Sequence, residues 1–113
     1  INHDLINYYN TPGEIVNLIN FSKDKNINLN DYTLIKFLNL LIDNAYYKKN
    51  KSVKMLLINF IELFFLKEYK LSSTKNSLLS FYHSFITKIN NTEKFNLDEE
   101  SLFLEFKSKL LNG

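Results

Sequence analysis

Lys48, Lys49, Lys51 and Lys54 gather around one loop, with Tyr46 and Tyr47 beside them. Basic residues interleaved with aromatics can hold a single nucleic-acid strand, by charge on the backbone and stacking on the bases. In a chain biased toward lysine the same run also serves as a solvated loop, so 48–54 is a candidate DNA contact weighed against that plainer role. The acidic trio Asp98, Glu99 and Glu100 has the residue types for metal binding or acid–base work. All three fall in the first turn of a helical pattern, where carboxylates are favoured by the helix dipole alone. His3 and His83 lie far apart without an acidic partner at ligand spacing, and are read as structural or solvated rather than as switches or ligands. A loop that cradles phosphate needs several glycines, and Gly13 and Gly113 cannot build one. No nucleophile, base and oxyanion-stabilising group can be assembled from these residues. The expectation is a non-enzyme with no cofactor, metal or small-molecule substrate.

The elements that must carry these residues are helices. Residues 53–67, VKMLLINFIELFFLK, place Leu56, Phe60, Leu63 and Phe64 on one face, with Leu57 and Ile61 beside it. Only Lys54, Asn59, Glu62 and Lys67 interrupt the apolar surface. A helix that is apolar nearly all round belongs to a core or a membrane, and this one falls short of the roughly 20 apolar residues that a bilayer requires. It reads as the central helix of a bundle.

Around it, Leu5, Ile6 and Tyr9 give a short leading pattern. Thr11, Pro12 and Glu14 then form a helix start: Thr11 as N-cap, Pro12 at the first helical position and Glu14 completing a capping box. Ile15, Leu18 and Ile19 make the stripe of that helix, which the polar residues 22–26 end. Asn30 is expected to cap a helix from Asp31 to about Lys49, with Leu34, Phe37, Leu38, Leu41 and Ala45 inward and Lys36, Asn39 and Asp43 wet. Leu78, Tyr82, Phe85 and Ile89 mark a helix over 74–90. A second capping box at Asn96-Leu97-Asp98-Glu99 opens a last helix to about Leu111, with Leu102, Phe103, Phe106 and Leu110 inward. No β-alternation is present. The fold expected is all-α: about four long helices preceded by a short helical segment.

The 113 residues give room for one core. Hydrophobic content of 45% and charged content of 23% are ordinary for a globular chain, and a net charge of +2 is too small to demand a polyanion. Every basic residue is lysine, so bidentate arginine clamping of carboxylate or phosphate is ruled out. The absence of cysteine removes disulfides and thiolate metal sites and fits a reducing, cytoplasmic setting. No signal peptide or membrane-spanning run is visible in these residues. The chain opens on Ile1 rather than Met, so the end of a longer protein is expected.

Surplus apolar surface points toward partners. Once the central helix has buried its main stripe, Met55, Ile58, Phe65 and Leu66 still need cover, and patches of that kind mark interfaces. These four, with Phe103, are the expected contacts to other chains.

The segment Tyr9-Asn10-Thr11-Pro12-Gly13-Glu14-Ile15-Val16-Asn17-Leu18 resembles the Ser-Pro-Gly segment near the end of the lid region in clamp-loader subunits of bacterial DNA polymerase III, the delta-prime family above all. Residues 55–67 are similar to that family's apolar helix ending in Lys. Phe95-Asn96-Leu97-Asp98-Glu99-Glu100-Ser101-Leu102, within 83–111, looks like its terminal helix pair. The delta subunit shares the three-part plan. The resemblance implies that 1–24 ends a lid domain and that 25–113 is the C-terminal collar, a non-catalytic oligomerisation domain. Its partners would be the other clamp-loader subunits, with DNA met only through the assembly. The family's zinc-binding and arginine-finger positions lie upstream of this segment. The departures from the family are the total lack of arginine and a surface rich in Phe and Asn.

Overall fold

A computed structural model of the chain describes residues 12–71, 75–92 and 98–111. The architecture is all-α, and among the described residues there is no strand. Five α-helices run in order: α1 (Pro12–Asp24), α2 (Leu34–Asp43), α3 (Lys51–Leu71), α4 (Lys75–Asn90) and α5 (Glu99–Phe106). The chain separates into two compact units, 1–64 and 65–113. The division falls inside α3. The expected boundary at 24 does not coincide with it, because α1 packs against residues beyond that point: the Phe21 ring meets Phe37 at 5.8 Å and Tyr46 at 5.6 Å, both edge-on.

Helix α1 starts at Pro12 with Glu14 in its first turn, the arrangement anticipated; the Thr11 cap itself and the leading 5–9 pattern lie outside the described residues. Its end is a Schellman turn. Asn26 takes a left-handed conformation (φ 54°), its N–H donates to the Lys23 carbonyl, and the Ile27 N–H donates back to Ser22 at 2.8 Å.

The next helix begins later and ends earlier than the spacing implied. Asn28, Asn30 and Thr33 compete as caps. Asn28 Oδ1 accepts from Asn30 N–H and closes a 3-10 turn, Leu29–Asp31, which buries Leu29. Thr33 Oγ1 accepts from Lys36 N–H at 3.3 Å and caps α2. So Asn30 is not the cap. The helix buries Leu34, Phe37, Leu38 and Leu41 as expected, and Ile42 besides. Lys36 and Asp43 are exposed, but Asn39 is half-buried and its Oδ1 lacks a hydrogen-bond partner.

Asn44 ends α2, with its backbone N–H and its side-chain Nδ2 both donating to the Leu40 carbonyl. Ala45 then turns left-handed (φ 52°) into a 3-10 turn, Tyr46–Lys48. The reason lies in Tyr47. A helix continued to residue 49 would turn Tyr47 well off the buried face formed by Leu34, Phe37, Leu38, Leu41 and Ile42. The break at Ala45 lets it bury instead, at 4% exposure.

In the first unit Phe37 is the hub, edge-on to Phe60 at 5.2 Å and to Tyr32 at 6.2 Å. In the second, Phe65 packs against Phe81, Tyr82, Phe85 and Phe106, and Phe85 against Phe103 and Phe106. Aromatic pairs at such spacings add roughly 0.5–1.5 kcal/mol each beyond the area they bury. Helix α5 passes into a single π turn, Lys107–Leu111. Its cap is Asp98, and Asn96, where a capping box is expected to open, lies outside the described residues: Asp98 Oδ1 accepts from Glu100 N–H at 3.0 Å and Oδ2 from the Ser101 hydroxyl at 2.8 Å. Thr92, buried ahead of it, sets its hydroxyl between two acceptors, the Ile89 carbonyl at 2.9 Å and Glu99 Oε1 at 3.3 Å. Among the described residues, no helix is long and apolar enough to cross a membrane.

A left-handed alanine costs about 1–2 kcal/mol, which glycine does not incur. Ala45→Gly is therefore expected to raise stability by a net ~1 kcal/mol after its extra unfolded-state entropy, read as a thermal midpoint higher by about 4 °C. An unchanged or lower midpoint would show that the turn is not strained.

Candidate interaction surfaces

Helix α3 decides which apolar side chains are spent on the core and which remain. Val53, Leu56, Leu57, Phe60, Ile61 and Phe64 are buried, and Leu63 is half-buried. Of the surplus set, Met55 (47% exposed) and Leu66 (53% exposed) stand in solvent, and Ile58 is half-buried. Phe65 is a correction. It is 4% exposed, because its ring fills the aromatic cluster of the second unit and has no surface left to offer a neighbour. Phe103 is corrected on the same ground: it is fully buried, with its ring against Phe85.

Two exposed side chains lie beyond the stretch that the apolar pattern marks. That pattern ends at Lys67, but α3 runs on to Leu71, and its last turn exposes Tyr69 and Leu71. The signal is present as helical spacing, since Tyr69 comes three residues after Leu66 and so shares its face. Val16 and Ile35 in the first unit, and Leu79 and Leu104 in the second, are also exposed.

The lysine loop is built otherwise than a stacking site requires. Lys48 closes the 3-10 turn and Lys49 comes directly after it. Asn50 Oδ1 then accepts from Ser52 N–H at 2.8 Å and from Val53 N–H at 3.4 Å, capping α3. Lys51 is the first helical residue and Lys54 lies in the same turn. Lys48, Lys49 and Lys51 are exposed and Lys54 is half-buried. The tyrosines point away from this role. Tyr47 is buried, while Tyr46 meets Phe21 and has Lys25 Nζ over its ring at 4.6 Å. Tyr47 therefore offers no ring for a base to stack on, and Lys25 lies over that of the half-buried Tyr46.

His83 is exposed beside Tyr82, with ring centroids 5.8 Å apart, and His3 lies outside the described residues. Asp98 is committed to capping, and Glu99 reaches Thr92. Among the described residues, no group of three or more His, Asp or Glu side chains is placed to hold a metal ion. Compared with family models, characterised proteins and solved structures, the chain matches none.

Core and surface positions on α3 separate in a simple measurement. Phe65→Ala should cost about 3–5 kcal/mol in urea unfolding, as for any large ring removed from a packed cluster. Met55→Ala and Leu66→Ala should each stay within about 0.5 kcal/mol of the parent. A large loss at Met55 or Leu66, or a negligible one at Phe65, would reverse their roles.

Proposed function

We propose that this chain is a non-catalytic oligomerisation module, the collar domain of a clamp-loader subunit of bacterial DNA polymerase III. In that reading it docks with the other subunits through helix faces in the cytoplasm, and so supports loading of the sliding clamp during replication. DNA meets it only through the assembly. The observation that carries the reading is the exposure of Met55 and Leu66 on α3, a helix most of whose other apolar side chains are buried. Apolar side chains held on a rigid helix lose little further freedom on docking, which lowers the cost of association. Covering the exposed half of each is worth on the order of 1 kcal/mol, so Ile58 and Tyr69 would have to contribute as well. The order of the helix starts at Pro12 and Asp98, and the family resemblance along 9–18, 55–67 and 83–111, support the particular assembly.

Sedimentation velocity of the chain mixed with the other clamp-loader subunits tests this. A faster boundary containing the chain is expected. The double substitution Met55→Asp and Leu66→Asp should abolish it while the far-ultraviolet circular dichroism stays helical. Assembly unaltered by the two aspartates, or a parent chain that remains an inert monomer, would reject the assignment.

A further inference from the structure

Helix α3 leaves one line of side chains uncovered, and that line has a period. Ser52, Met55, Asn59, Glu62, Leu66 and Tyr69 follow one another at spacings of 3, 4, 3, 4 and 3 residues. This is the alternation of a coiled-coil seam, which keeps one side of a helix turned toward a partner helix. Five of the six are exposed and Asn59 is half-buried. Every buried side chain in the same span, from Val53 to Phe65, falls off the line. The described residues therefore cover α3 from its other sides and leave the seam open. Ile58 and Leu63, both half-buried, flank it, one on each side. Over residues 52–69 the seam is about 27 Å long.

The order of residues along the seam decides what fits on it. Two antiparallel copies of the helix, placed so that all six positions overlap, set Met55 against Leu66, Asn59 against Glu62 and Ser52 against Tyr69. A twofold axis makes each of these pairs twice. Apolar meets apolar and polar meets polar. The Asn59 amide of one copy can donate to the Glu62 carboxylate of the other, and a single polar position of this kind fixes register at some cost in stability. A parallel pair would set each residue against itself, bringing Glu62 onto Glu62, a like-charge contact that disfavours it. Tyr69 has Lys75 Nζ over its ring at 5.1 Å and is still 38% exposed. We propose that the seam is occupied by a second copy of this chain, α3 against α3 in antiparallel register. The pairing rests on the premise of the collar reading that this face of α3 docks, but it requires no other subunit. Two apolar layers around a polar centre make it a weak dimer.

Sedimentation equilibrium of the 113-residue chain alone, over about 1–500 µM, tests the pairing at the weak end of protein association. The weight-average mass should climb from the 13.4 kDa of one chain toward twice that value. Leu66→Glu, checked for an unchanged helical spectrum, should hold it at one chain. Oxidative cross-linking then reads the register, since the chain has no cysteine of its own. An equimolar mixture of M55C and L66C should give the mixed disulfide in severalfold excess over either like pair. In the antiparallel register, like positions lie about 16 Å apart along the axis, beyond the roughly 4.4–6.8 Å between Cα atoms that a disulfide spans. A mass of one chain throughout, association untouched by Leu66→Glu, or disulfides mainly between like positions would each overturn the proposal. The collar reading is scored separately, because no other subunit is present. A strict monomer that still joins the clamp-loader mixture sinks the self-pairing and leaves the collar standing, whereas a self-dimer that ignores the mixture does the reverse.

Discussion

The constraint on which the structure depends is the cover demanded by α3. Val53, Leu56, Leu57, Phe60, Ile61, Phe64 and Phe65 point around much of its circumference, and no single neighbouring helix can dry them all. The chain meets the demand twice over. Phe60 is received by Phe37 in the first compact unit, and Phe65, five residues on, by Phe81, Tyr82, Phe85 and Phe106 in the second. The same demand explains why phenylalanine is so heavily used: flat rings meeting edge-on or tilted fill irregular space between helices at short sequence cost.

Local structure is set by that packing more than by propensity. Alanine is the strongest helix former, yet Ala45 stands at a left-handed turn where a helix stops. The gain is a buried Tyr47, and burial of a large aromatic outweighs the backbone cost of one unfavourable residue. Leu29 shows the same balance on a smaller scale, since the 3-10 turn that buries it postpones α2 by one further turn.

Much of this is legible in the residues themselves. The helical class, the buried stripe of α3, the inward faces of α2 and α5 and the helix start at Pro12 all come from apolar spacing and capping chemistry. Where spacing and structure differ, the causes are specific. Asn28, Asn30 and Thr33 are all good caps, and only the first regular apolar spacing after Thr33 selects it. The end of α2 is hidden because nothing in Asn44-Ala45 forbids a helix; a tertiary contact does. Phe65 and Phe103 count as surplus only if one core is being filled, whereas the second unit has an aromatic cluster of its own. Tyr47, which lies beside the basic loop in the chain, is buried, because spacing along a chain does not say which way a tyrosine turns.

If α3 is the element that the rest of the chain is built to cover, its amides must be the last to open. Native-state hydrogen exchange of the whole chain reads this directly. Amides over 56–65 should exchange only through global unfolding, with protection equal to the full unfolding free energy, and those of α1 and α4 should open earlier. Exchange in 56–65 as fast as in α1 or α4 would contradict the account, by showing that α3 is one packed helix among equals.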